Sequence, residues 1–234
     1  VAKHGNRKIT SQTGSADVLV ELGVNIEATV DIVEACLEQL GICFCFAPLL
    51  HPAMKHVAPV RKQLGVPTIF NLLGPLCNPA AAPYQLLGVG RPELRTTLAK
   101  ALAMLGTERA LVVTGADGMD ELTLTGDTHV TLVENGSTTD QTWTPADFGL
   151  PTADLADLQV ETPQESAERI RAIFSGETGP ARDIVVMNAA AAIWLTDRET
   201  SLEAAADQAA AAIDDGRCRE RLDQLGQLSH QAES

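Results

Sequence analysis

Short apolar runs alternate with helix-like stretches along this 234-residue chain, and that alternation restricts the possible folds more than any other feature. Residues 42–46, 84–89, 110–113 and 129–134 have the composition of strands, and Asn135-Gly136 turns the last of them. Between the strands, Thr29 precedes an apolar period of Val30, Val33, Leu37 and Leu40 closed by Gly41. Pro92 opens a helix to Leu105 that ends at Gly106. Ser15 or Asp17 caps a short helix through Glu21, ending near Gly23, and 52–64 is helical with a break at Pro59. Residues 164–175, 181–196, 200–214 and 217–228 are further helices, while 71–83 form an irregular Gly- and Pro-rich loop. The pattern predicts an α/β fold with a largely parallel central sheet flanked by helices. No repeat or long linker divides the chain, so a single α/β domain over 1–234 is expected. Ligands of such sheets sit beyond the carboxyl ends of strands, which directs attention to the loops after 42–46, 84–89 and 110–113.

Charge narrows the range of partners. Residues 1–80 hold six Lys/Arg against six Asp/Glu; residues 81–234 hold eleven against twenty-five and so carry the whole net charge of −14. Nucleic acid and anionic membrane are disfavoured, and 3% aromatic residues leave little for stacking on bases. No apolar run reaches eighteen residues. An anionic small molecule must find its counter-charge locally, and most candidates lie before residue 62. The five cysteines are odd in number and irregular in spacing, without a zinc pattern. They read as apolar filler in a reducing cytoplasm, Cys43 and Cys45 sharing one face of a buried strand.

Four segments can carry chemistry. Residues 3–15 combine Lys3 and Arg7 with Gly5 and Gly14 and with the hydroxyls of Ser11 and Ser15, a mixture suited to a sugar phosphate. The free amides of a helix opened by Ser15 would add to it; the same residues also make an ordinary basic loop. Asp120 and Glu121, in Asp117-Gly118-Met119-Asp120-Glu121, are adjacent carboxylates able to share Mg²⁺ with a phosphate, or form a solvated acidic turn. His51 and His56 are five apart and make a poor helical zinc pair, whereas Arg61 can aim its fork at a carboxylate or lie on the surface. The Asn71-Leu72-Leu73-Gly74-Pro75-Leu76-Cys77-Asn78-Pro79 loop can wall a flat aromatic substrate or serve as a tight connection. No nucleophile elbow, Walker or dinucleotide motif is present.

Taken in order, Val1-Ala2-Lys3-His4-Gly5-Asn6-Arg7, Gly14-Ser15-Ala16-Asp17, Phe46-Ala47-Pro48, the stretch from His51 to Arg61, Thr68 to Leu76 with Asn78-Pro79, Asp117 to Glu121 and Arg182 to Ala190 resemble the anthranilate phosphoribosyltransferases of tryptophan biosynthesis. The resemblance implies transfer of phosphoribose from 5-phosphoribosyl-1-diphosphate to the amine of anthranilate, with Mg²⁺ as cofactor. It implies catalysis by positioning and electrostatics rather than by a nucleophile or strong base. It assigns Lys3, His4, Gly5, Asn6, Arg7, Lys8, Ile9, Thr10, Ser11 and Ser15 to the phosphoribosyl donor. Asn6, His51, Arg61, Gly74 and Pro75 fall to anthranilate, and Asp120 and Glu121 to Mg²⁺. The fold it implies is the C-terminal domain of the phosphoribosyltransferase and nucleoside phosphorylase type. The family's N-terminal helical domain and its Gly-Thr-Gly-Gly-Asp loop do not occur in these 234 residues, and Gln12-Thr13 and Leu50 depart from the family pattern. The expectation is thus a catalytic domain incomplete at its N-terminus and inactive in isolation, from a cytoplasmic enzyme that is a homodimer when intact. A pyrimidine nucleoside phosphorylase-like enzyme and a non-catalytic phosphoribosyl-ligand binder are the alternatives.

Overall fold

The computed structural model describes residues 1–7, 14–52, 63 and 68–231. They group into two compact units, Val1–Ala81 with Val160–Arg171 and Arg217–Ser234, and Ala82–Gln159 with Ala172–Gly216. Among the described residues no helix is long and apolar enough to cross a membrane.

In the first unit, β1 (Ala2–Gly5) pairs in parallel with β2 (Cys43–Phe46), in the register Ala2 to Cys43 through Gly5 to Phe46. β2 is buried on both faces, and the strand period of two sorts its residues. Cys43 and Cys45 join Val24, Cys36, Leu225 and Leu228 in one core cluster, whereas Phe44 and Phe46 pack with Ala16 and Ile26 in another. Ala16 comes from α1 (Ser15–Glu21), Cys36 from α2 (Val30–Leu40), Leu225 and Leu228 from a C-terminal helix, Arg217–Ser229, and Val24 and Ile26 from the segment between α1 and α2. Thr29 and Gly41 flank α2 as the sequence predicts, with Gly41 left-handed at φ 72°. Gly14, not Ser15 or Asp17, caps α1, because Ser15 already has helical geometry. The 52–64 helix expectation falls almost wholly outside the described residues. The 71–83 loop contains more structure than expected, a short helix α4 (Phe70–Leu73) after α3 (Ala47–Leu50) and then a 3₁₀ turn, Gly74–Leu76.

The second unit holds a four-stranded sheet ordered β3 (Tyr84–Gly88), β4 (Arg109–Gly115), β5 (Thr128–Glu134), β6 (Ser137–Trp143). β3 and β4 are parallel, joined across α5 (Arg95–Met104), which buries Leu98, Ala99 and Leu102. The remaining pairings are antiparallel, so the α/β class holds but the sheet is mixed rather than largely parallel. For β5 and β6 the cause is local: Asn135 and Gly136 both take positive φ, 51° and 72°, the geometry of a two-residue hairpin turn. That turn folds Ser137–Trp143 back as an edge strand. Its residues are mostly exposed and polar, so no alternating apolar pattern marks it in the sequence. Helices follow at Pro163–Ile173 (α6), Pro180–Thr196 (α7) and Leu202–Asp214 (α8), with Arg217–Ser229 as α9. Small residues on α7 and α8, including Ala190, Ala191, Ala205, Ala206 and Ala209, are buried.

The contrast between the central and edge strands is measurable. Leu111 on β4 is fully buried. Leu111→Ala is expected to lower unfolding free energy by about 2–5 kcal/mol in urea titration. Thr139→Ala on exposed β6 is expected to stay within about 0.5 kcal/mol.

Candidate functional site

The parallel pairing sends the carboxyl ends of β1 and β2 out on the same side, so Gly5-Asn6-Arg7 leaves the sheet beside Phe46-Ala47. The faces of β1 do different things. Lys3 and Gly5 lie on the face shared with Phe44 and Phe46. A Cβ on residue 5 would fall 2.8 Å from Ser15 Oγ and 2.9 Å from the Phe44 ring, so only glycine lets α1 close this tightly onto the strand. Ser15, Gly5 and the exposed Lys3 and Asn6 are thereby gathered at one strand end.

His4 lies on the other face. Its Nε2 is 3.0 Å from Nε2 of His51, with the rings edge to face at 5.0 Å. Burial, then His51, then the charge of Lys3 push the His4 pKa below its usual value, while a hydrogen bond to the Gly74 backbone pulls the other way. One side chain therefore ties the strand to both His51 and the Gly74-Pro75 turn. Asn78 adds a second tie, donating from Nδ2 to the Ala2 carbonyl at 3.0 Å.

Arg7 is not a free cation. Its guanidinium meets Asp17 at 3.4 Å and Glu27 at 3.2 Å and lies 5.8 Å from the Phe46 ring centroid, while its backbone N–H donates to Asn6 Oδ1 at 2.8 Å. Its side chain is 49% exposed. Exposed pairs of this kind contribute only about 0.2–1 kcal/mol. A ligand phosphate can therefore exchange for them. Neither acid was identified from sequence as a partner; Asp17 lies within the segment read for its polar character, and Glu27 carries no local signal.

In the second unit, Asp120 and Glu121 are exposed at a turn following β4, and Leu122, Thr123 and Leu124 behind them are buried. Asp117 organises the turn. Its carboxylate accepts from Thr123 Oγ1 at 2.6 Å, Thr125 Oγ1 at 2.8 Å and the Met119 N–H at 3.1 Å. Burial alone would raise its pKa, but these hydrogen bonds outweigh it and hold the carboxyl below the usual value. Gly88, at the end of β3, is the other support: a Cβ there would sit 1.5 Å from the Asp120 carbonyl oxygen. Sequence reasoning named Asp117 only as part of its segment, without a role, and passed over Thr123, Thr125 and Gly88.

The donor set at Asp120 and Glu121 fits Mg²⁺, since both offer hard carboxylate oxygens on a supported, solvent-facing turn. Among the described residues no group of three or more His, Cys, Asp or Glu side chains is placed to hold a metal. Two carboxylates completed by phosphate oxygens and water is how Mg²⁺ is usually held. Lys8, Ile9, Thr10, Ser11 and Arg61, all predicted from sequence, lie outside the described residues.

The chain as a whole has known relatives. A profile of the glycosyl transferase family, a/b domain, matches residues 1–219. The anthranilate phosphoribosyltransferase of Chromobacterium violaceum is 48% identical over 229 residues, covering 98% of this chain and 67% of its own. The crystal structure of the Thermus thermophilus anthranilate phosphoribosyltransferase superposes with a TM-score of 0.90 at 42% identity, covering 99% of this chain and 69% of that one. The Saccharomyces cerevisiae enzyme in complex with PRPP and Mg matches with a TM-score of 0.89 at 28% identity, covering 97% and 64%. The chain belongs to the anthranilate phosphoribosyltransferase family. It spans about two thirds of the length of these relatives.

The His4 environment predicts a pH dependence. A histidine whose pKa is lowered by folding contributes stability above its unfolded value of 6.5, and that contribution is lost as pH falls toward the folded pKa. Melting temperature should therefore decline below pH 6.5, and His4→Asn should flatten that decline. An unchanged slope in His4→Asn would contradict the assignment.

Proposed function

We propose that the protein to which this chain belongs transfers phosphoribose from 5-phosphoribosyl-1-diphosphate to the amine of anthranilate, giving N-(5-phosphoribosyl)anthranilate and pyrophosphate. The observation that carries the reading is β1 itself. One face and the end of this strand present Lys3, Gly5 and Asn6 beside Ser15, the residues expected at the phosphoribosyl donor. The other face seats His4 against His51 and Gly74, two residues expected at anthranilate. Family membership supports the same activity, and the yeast relative's complex with PRPP and Mg supports the donor and the ion.

In the proposed reaction the bond from ribose C1 to the diphosphate oxygen breaks and a bond from C1 to the anthranilate nitrogen forms, the nitrogen then losing a proton. The amine is a neutral nucleophile, so departure of pyrophosphate is the harder part. Lys3 and Arg7 oppose the phosphate charge, and Arg7 exchanges Asp17 and Glu27 for phosphate oxygens. Asp120 and Glu121 would hold Mg²⁺, which neutralises charge building on the leaving group. Asn6, Arg61, His51, Gly74 and Pro75 orient anthranilate, with Arg61 facing its carboxylate, so that the amine is aimed at C1. The two units are read as one catalytic domain. The free thiols of all five cysteines accord with a reducing cytoplasm, and a homodimer is the proposed state of the intact protein.

The test follows the loss of anthranilate fluorescence in the intact protein on addition of 5-phosphoribosyl-1-diphosphate and Mg²⁺. Turnover is expected, and Glu121→Gln should raise the Mg²⁺ concentration needed for half-maximal rate by about tenfold or more. Arg61→Ala should raise KM for anthranilate more than it lowers kcat. Phosphorolysis of thymidine without anthranilate turnover would replace this reading with a nucleoside phosphorylase.

A further inference from the structure

Asp120 and Glu121 form a two-residue bridge between two fixed points. On the near side the turn is closed by the Gly115 N–H donating to the Met119 carbonyl at 2.9 Å and the Met119 N–H donating to Asp117. Gly88 lets the Asp120 carbonyl come against the end of β3. On the far side stands Leu122, which is fully buried. Both of its backbone polar groups go to one side chain: the Leu122 N–H donates to Asn188 Oδ1 at 3.0 Å, and Asn188 Nδ2 donates to the Leu122 carbonyl at 3.0 Å. A third bond, from Nδ2 to the Ile184 carbonyl at 3.0 Å, fixes the amide on its own helix, α7. Asn188 is half-buried and lies 66 residues along the chain from Leu122. The stretch Arg182 to Ala190 helps to identify the family, yet the proposed reaction gives it no task.

We propose that Asn188 is a positioning residue for the metal carboxylates: by holding both backbone groups of Leu122 it fixes the height and direction at which Asp120 and Glu121 leave the turn. This rests on the reading of that pair as Mg²⁺ ligands. A carboxylate pair that shares its ion with a phosphate has only two protein oxygens with which to aim it, so small displacements matter. Residues that orient metal ligands typically change metal affinity by about 10–100-fold when removed. Asn188 does this from outside the site, without touching ion or substrate.

The test measures Mn²⁺ binding to the protein by electron paramagnetic resonance in the presence of inorganic pyrophosphate, for the wild type, Asn188→Ala, Asn188→Leu and Asp120→Asn. Amide hydrogen exchange at Leu122 is read on the same samples. Asn188→Leu keeps the γ-branched shape and is a good helix former, so it serves as the second variant if Asn188→Ala unfolds. In either variant the Leu122 amide should exchange faster while β4 stays protected, and the Mn²⁺ dissociation constant should rise about tenfold or more. A merely structural role would reduce the amount of folded protein and leave the affinity of the folded remainder unchanged. Wild-type affinity in a folded Asn188 variant, with binding lost in Asp120→Asn, overturns the positioning role alone. If Asp120→Asn binds like the wild type, or the wild type does not bind, the carboxylates are not metal ligands and both readings fall.

Discussion

The backbone pairing of Ala2–Gly5 with Cys43–Phe46 decides where the chemistry of the first unit can be. β2 is buried on both faces, so its register is set by its surroundings, Cys43 and Cys45 in one cluster and Phe44 and Phe46 in another. A one-residue slip would exchange the two sets. Once β2 is fixed, the parallel ladder fixes β1, and with it the face on which each residue of Lys3-His4-Gly5 must lie. Gly5 is then required at its position because Ser15 and the Phe44 ring already occupy the space a side chain would need. Packing that holds the core together thus also places a hydroxyl, an amide and a cation on one face and end of β1.

The second unit solves a different problem. Two exposed carboxylates side by side repel one another and are of use only if they are held in place. The turn is held by the Asp117 hub with Thr123 and Thr125, the close backbone approach at Gly88, and the Asn188 bonds to Leu122. Arg7 shows the opposite arrangement, a charge held in place by weak, exposed partners that a phosphate can displace. Strong support where aim matters and weak support where exchange matters is a consistent physical division between the two clusters.

The sequence made part of this plain. Helix α2 with Thr29 and Gly41, the hairpin turn at Asn135-Gly136, and the Lys3 to Arg7 and Asp117 to Glu121 segments were all readable because each carries a local signal: a cap, a turn dipeptide, a charge cluster after a strand. The polar edge strand β6 was not, since exposed Thr, Asp and Gln residues leave no apolar period to detect. Ser15 has the hydroxyl that favours a cap, but Gly14 takes that position in extended geometry and Ser15 is the first helical residue. Gly88 and Asn188 were invisible for a different reason. Their importance lies in what approaches them from far along the chain, and no spacing within a sequence records that.

In the proposed reaction, donor and acceptor meet at the end of β1. A crystal structure of the intact protein with 5-phosphoribosyl-1-diphosphate, Mg²⁺ and an anthranilate analogue tests it most directly. Phosphoribosyl density is expected against Lys3, Asn6 and Ser15, with Arg7 drawn off Asp17 and Glu27 and the aromatic ring beside His51 and Gly74. Donor density elsewhere, with both Arg7 ion pairs intact, would contradict it.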